Sequence, residues 1–198
     1  MILQSKETTI QALSEEFNLC AENLLLSIQK DPKFVDRTLL SMRALVKIYF
    51  RMAQKVYDDR SIKEIRTDIY FRGTSLADHT LQCSALIRKF SEPHLREGMT
   101  ILIHSYSRVV LDVLQNACER GLRLKVITTE SQPSHTSKQV ADDCEKMGIE
   151  CQEIYDTAVA VSMPLIDCVC IGCEAVLANG GIINKIGTYG ISLIASHF

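Results

Sequence analysis

The segment Asn179-Gly180-Gly181-Ile182-Ile183-Asn184-Lys185-Ile186-Gly187-Thr188 sets one lysine among glycines and small polar residues. Lys185 can neutralise a phosphate, Asn184 and Thr188 can hydrogen-bond a ligand, and Gly187 lets the backbone turn or come close. Glu174 precedes this segment and follows an apolar, strand-like run, Asp167 to Ile171. A carboxylate just past the carboxyl end of a parallel strand is placed for acid–base work or for a sugar hydroxyl. By residue type these positions outline a phosphosugar pocket. The plain alternative is a glycine-rich turn with a solvated lysine, and residue types alone leave both open.

A second group lies at His104-Ser105-Tyr106-Ser107-Arg108. It occupies the place where a dinucleotide binder carries G-x-G-x-x-G, which argues against NAD or FAD. Ser105 and Ser107 both suit a helix N-cap, whose free amides would face whatever sits above the strand. His104 ends the first strand and has two roles open to it, a base or a hydrogen-bonded structural residue. The remaining histidines, His79, His94, His135 and His197, show no metal-ligand spacing, and no Ser-His-Asp triad is legible. The eight cysteines are scattered. They read as reduced core thiols, although Cys170-Ile171-Gly172-Cys173 matches C-x-x-C. That pair lacks the second ligand pair of a zinc site, and Cys170 falls inside the strand, unlike a thioredoxin motif. No metal is expected.

The elements that must position these groups can be read from periodicity. Phe17, Cys20, Ala21, Leu24, Leu25 and Ile28 fall at helical spacing. Asp31-Pro32 punctuates, and a longer stripe follows: Val35, Leu39, Met42, Val46, Tyr49, Ala53 and Val56, stopping at Tyr57-Asp58-Asp59. A third helix carries Leu76, Thr80, Cys83, Ile87 and Phe90 on one face and ends at Pro93. Past Gly98 the pattern changes. Strands are expected at Met99–Ile103, Leu122–Thr128, Glu150–Tyr155 and Asp167–Ile171, with helices over Val109–Ala117 and Pro133–Met147 closed by Gly121 and Gly148. The expectation is an α/β chain: a helical N-terminal region, residues 1–95, followed by a Rossmann-like parallel-sheet domain, residues 96–198. A final helix starts at Thr188. Four strands would leave an edge exposed, which predicts a C-terminally truncated domain or one completed by a partner.

Composition narrows the classes. Hydrophobic residues make up 46% of 198 residues, and the net charge is −2. The chain can build a real core and carries no basic footprint for nucleic acid. It has no apolar run of membrane-spanning length, and Met1 to Lys6 lacks the pattern of a signal peptide, so a soluble intracellular protein is expected.

Three stretches resemble a known family. Ile101 to Leu111 is similar to a T-H-A-Y-S-R-V-V-L segment, Thr129-Glu130-Ser131-Gln132-Pro133 to T-E-S-Q-P, and Ile171 to Val176 with Asn179 to Thr188 to V-G-A-E-G-V and N-G-G-I-I-N-K-I-G-T. Together they resemble the initiation factor 2B alpha/beta/delta and sugar-phosphate isomerase superfamily, most specifically the alpha subunits of translation initiation factor 2B. The isomerases of this superfamily act on methylthioribose 1-phosphate or ribose 1,5-bisphosphate with a cysteine in T-H-C-N and an aspartate in G-A-D. The matching positions here are Ser105 and Glu174. Serine is a far weaker acid than cysteine, and glutamate moves the carboxylate out by a methylene. The resemblance therefore implies vestigial Ser105 and Glu174 in a non-catalytic, cytoplasmic regulatory subunit of the guanine-nucleotide exchange complex. Its implied partners are the other exchange-factor subunits, a second copy of itself, and initiation factor 2 phosphorylated on its alpha subunit, with no direct nucleic acid and no membrane. A sugar phosphate or nucleotide, held by His104, Glu174, Asn184, Lys185, Gly187 and Thr188, is the implied ligand. No other cofactor is implied. The alternative is an aldose–ketose isomerase of a phosphorylated ribose.

Overall fold

Thr9 and Ser61 start two helices by the same local chemistry. The Thr9 hydroxyl accepts the Ala12 amide at 3.2 Å, and Ser61 and Glu64 form a reciprocal capping box, with the Ser61 amide donating to the Glu64 carboxylate at 2.9 Å. The computed structural model describes residues 9–30, 40–54 and 61–198. Chain contacts divide the protein into two compact units, Met1–Gln82 and Cys83–Phe198.

The first unit is helical, with α1 (Ile10–Lys30), α2 (Leu40–Gln54) and the opening of α3 (Ile62–Ser91). Its core joins Leu13, Ile65 and Ile69 to the rings of Phe17 and Tyr49, which meet edge to face at 5.1 Å. The Tyr49 hydroxyl donates to the Ile69 carbonyl at 2.9 Å, and burial pushes its phenol up from the ordinary value. Val46 and Tyr49, from the long expected stripe, are half-buried. Asp31, Pro32, Val35, Leu39, Val56 and Tyr57 to Asp59 lie outside the described residues, as do the side chains of Ile28, Met42 and Ala53. The third helix begins well before Leu76, because Ser61 caps it at Ile62, and Ile87 and Phe90 of its expected face are exposed.

The second unit is an α/β domain. Its parallel sheet contains β1 (Thr100–Ile103), β2 (Lys125–Thr129), β3 (Glu150–Ile154) and β4 (Cys168–Cys170), in the spatial order β3-β2-β1-β4. Ile101 pairs with Val126 on one side and Cys168 on the other. Alternation along β1 sends Ile101 and Ile103 to one face and Leu102 to the other. The first face is covered by α4 (Arg108–Glu119) and α5 (Ser137–Lys146), the second by α6 (Val159–Ser162) and α7 (Thr188–His197). Gly121 and Gly148, at φ +89° and +72°, end α4 and α5 in the left-handed conformation that lets the next amides return to the last helical carbonyls.

Two starts differ from the sequence expectation by three residues or more. The second strand starts at Lys125 rather than Leu122. The helix expected from Pro133 starts at Ser137, because Ser131 to Thr136 form a turn in which the Ser134 and His135 amides both return to the Ser131 carbonyl. A short antiparallel hairpin, β5 (Ala175–Val176) with β6 (Ile182–Ile183), has no counterpart in the periodicity; it places Asn179-Gly180-Gly181 at its tip and Asn184 to Thr188 just after its second strand. Among the described residues no helix is long and apolar enough to cross a membrane.

Leu114 is fully buried between α4 and the sheet. Leu114→Ala should therefore destabilise the protein by about 2–5 kcal/mol through lost burial and an unfilled cavity. Urea unfolding followed by circular dichroism checks this.

Candidate functional site

In the order β3-β2-β1-β4, the chain leaves β1 toward β2 and later returns to the other side of β1 as β4. The loops after β1 and β4 therefore diverge above the sheet, and such a switch point at the carboxyl ends is where open α/β sheets bind ligands. All three non-glycine residues with positive φ among the described residues, Ser105 (+64°), Ser131 (+59°) and His135 (+48°), belong to loops at this edge. Such conformations cost free energy and persist where surrounding contacts enforce them.

Those contacts begin with His104, only 2% exposed at the end of β1. Its Nδ1 lies 2.6 Å from the Thr129 hydroxyl at the end of β2, and its Nε2 lies 2.6 Å from the Ile186 carbonyl. Both ring nitrogens are thus hydrogen-bonded within the protein. The Ser105 amide donates to Ser131 Oγ at 2.7 Å, and the buried Ser105 hydroxyl accepts from Thr136 Oγ1 at 3.4 Å. Ser105 thus points inward and does not cap the helix; Ser107 does, accepting the Val110 amide at 3.4 Å. The loop after β4 crosses closely above this start, since a Cβ on Gly172 would stand 2.8 Å from Ser107 Oγ.

Glu174 and Lys185 meet as an ion pair, Nζ to Oε1 at 3.4 Å, each about a quarter exposed, with the Glu174 amide bound to the Ile183 carbonyl at 2.8 Å. The lysine is therefore already neutralised, and an incoming phosphate must share it with or displace Glu174. Asn184 donates to the Thr188 hydroxyl at 3.0 Å, and the Thr188 amide returns to the Lys185 carbonyl at 3.2 Å. Gly187 stands at φ +98°, and a Cβ there would come within 2.8 Å of the His104 ring. The fold thus brings His104 against Gly187, Glu174 against Lys185 and Asn184 against Thr188, with Ile186 and its neighbours joining the three pairs into one loop cluster.

Asp156, not singled out from the sequence, organises the same edge from β3. Its two oxygens accept the Ser131 and Gln132 amides at 2.9 and 2.8 Å, and Oδ1 lies 4.0 Å from His104 Nδ1. The signal was available, since Asp156 follows the third strand as Glu174 follows the fourth. At the end of β4, burial pushes the Cys170 thiol up to about 11, while Cys173 is exposed. Among the described residues no three His, Cys, Asp or Glu side chains group to hold a metal ion.

Comparison with known proteins places this geometry in context. The model of the initiation factor 2 subunit family matches residues 3–198. The chain is 30% identical over its whole length to a translation initiation factor eIF2B subunit alpha of Dictyostelium discoideum, covering 60% of that protein. It is 31% identical over 84% of its length to a ribose 1,5-bisphosphate isomerase of Archaeoglobus fulgidus, covering 54% of it. The chain thus spans little more than half the length of these relatives. Among solved structures, 99% of the chain superposes on 64% of a chain in the tetrameric eIF2B-beta2-delta2 complex of C. thermophilum, with a TM-score of 0.77 at 17% identity. It likewise superposes on 72% of the translation initiation factor eIF-2B of Pyrococcus horikoshii OT3, with a TM-score of 0.66 at 21% identity. These two structural likenesses establish the helical region and the parallel-sheet fold.

Two outcomes follow from the site geometry. Asp156→Asn should cost about 1–3 kcal/mol in urea unfolding, because an amide nitrogen would face a backbone donor where a carboxylate oxygen now accepts. Iodoacetamide at pH 8 should label Cys173 well before Cys170 by peptide mass spectrometry, since the Cys170 thiol stays protonated up to about 11.

Proposed function

The chain belongs to the initiation factor 2 subunit family, and from that premise we propose that it is a regulatory, alpha-type subunit of the initiation factor 2B exchange complex. In this reading the chain catalyses nothing itself. The α/β unit pairs with a second copy, and the helical unit is the surface offered to phosphorylated initiation factor 2 in the cytoplasm. Assembly with further subunits follows the pattern of the beta–delta tetramer.

Sequence identity does not separate this role from an isomerase, since both kinds of relative stand near 30%. Ser105 carries the choice. It occupies the position that matches the isomerase cysteine, and its hydroxyl is buried and engaged with Thr136. A serine hydroxyl titrates far above a thiol and supplies no comparable acid or nucleophile near neutral pH. Glu174, at the second matching position, is committed to Lys185.

The cluster of Glu174, Asn184, Lys185 and Thr188 favours a second, compatible role, in which a sugar phosphate binds as a regulatory ligand. Lys185 takes the phosphate and Glu174, released from it, takes a sugar hydroxyl.

The test is recovery of the tagged, native-length protein from its own cells, with mass spectrometry of what accompanies it and an isomerase assay on ribose 1,5-bisphosphate. The other exchange-factor subunits should co-purify, and the preparation should show no turnover attributable to this chain. Recovery of the protein alone, or turnover that is lost in Lys185→Ala, overturns the regulatory reading in favour of the isomerase.

A further inference from the structure

We propose that His104 is the positioning residue of the candidate ligand loop: an Nε2-protonated imidazole that latches the Ile186 carbonyl to the sheet and so holds Lys185 and Asn184 in place. The proposal rests on the reading of this loop as a sugar-phosphate site, and its structural part stands on geometry alone.

The tautomer follows from the partners. A carbonyl oxygen only accepts, so the 2.6 Å contact to Ile186 requires the hydrogen on Nε2. In the neutral ring Nδ1 is then an acceptor, and the Thr129 hydroxyl must donate to it across 2.6 Å. Thr129 Oγ1, its hydrogen spent, can only accept; Ser131 Oγ lies 3.1 Å from it and 3.1 Å from the Thr129 carbonyl, to which it donates, and accepts the Ser105 amide at 2.7 Å. Donation therefore runs from Thr129 through His104 to the loop, and Ser131 ties Ser105 to Thr129. The ends of β1 and β2 and the 184–188 segment are tied together by one buried ring.

Gly187 provides the clearance. Its φ is positive, and a side-chain carbon there would meet the ring at 2.8 Å, so only glycine lets the loop lie against His104. The loop in turn starts α7, since the Thr188 amide bonds to the Lys185 carbonyl at 3.2 Å and the Ile191 amide to the Gly187 carbonyl at 3.0 Å. Losing the latch should free the loop while the sheet stays folded, because the core clusters on both sheet faces lack His104.

Three measurements on the full chain test this. Heteronuclear NMR of the histidine rings should find His104 in the Nε2–H form at neutral pH; the Nδ1–H form overturns the proposal. Hydrogen exchange at Thr188 and Ile191 should be about tenfold faster in His104→Ala, with most of the protection restored in His104→Gln, whose side-chain amide can donate near the Nε2 position. Unchanged exchange in a folded His104→Ala protein overturns the latch. Calorimetry with ribose 5-phosphate should show weaker binding to His104→Ala and recovery in His104→Gln. If the native chain takes up no ribose 5-phosphate, the ligand reading falls, and loop exchange alone decides for or against the latch.

Discussion

The central position of β1 is the constraint on which the site depends. It is hydrogen-bonded on both edges, to β2 and β4, and buried on both faces, so its carboxyl end has no freedom to adjust. Whatever follows Ile103 is delivered to one point above the sheet. His104 and Ser105 are the residues delivered there, and each meets groups carried by other strands and loops. A buried polar side chain at such a point must be matched by partners, since an unpaired one costs about 1–3 kcal/mol. The surrounding hydroxyls, amides and carbonyls supply that matching.

The edge is polar but internally balanced. Asp156 answers two backbone amides of the turn after β2, and Glu174 answers Lys185. Left-handed Ser105 and Ser131 are held by bonds to one another and to Thr129, Thr136 and Asp156, which offsets the cost of their backbone conformations. The arrangement is a preorganised polar edge in which Asp156, Glu174 and Lys185 already have partners.

The thiols belong to a different part of the physics. Cys144 is fully buried and Cys118, Cys168 and Cys170 are partly so, and burial leads or contributes to pushing each of these thiols up. Cys144 is raised most by its hydrogen bond to Cys151. They pack as small apolar groups on the face of the sheet covered by α4 and α5.

Much of the architecture is legible because it rests on local rules. Short apolar runs mark the strands of the sheet and period-3.6 patterns most helices, and Gly121 and Gly148 mark the ends of α4 and α5. The site residues are legible as types: Lys185 beside glycines, Glu174 after a strand, Ser107 before a helix. The start of α3 escapes the apolar pattern because a capping box, Ser61 with Glu64, outweighs a weak stripe. The start of α5 is displaced because left-handed Ser131 and His135 build a turn that no periodicity announces. The β5–β6 hairpin pairs only two residues per strand, too few for alternation to register. What the sequence by itself determined is the order of the four sheet strands and the main helices, and the chemistry available at the strand ends. Only the tertiary structure decided which of those groups face one another. Asp156 reaches the turn after β2, His104 reaches Ile186 across 82 positions, and Lys185 is spent on Glu174. These pairings depend on strand order and loop path, which no local propensity encodes.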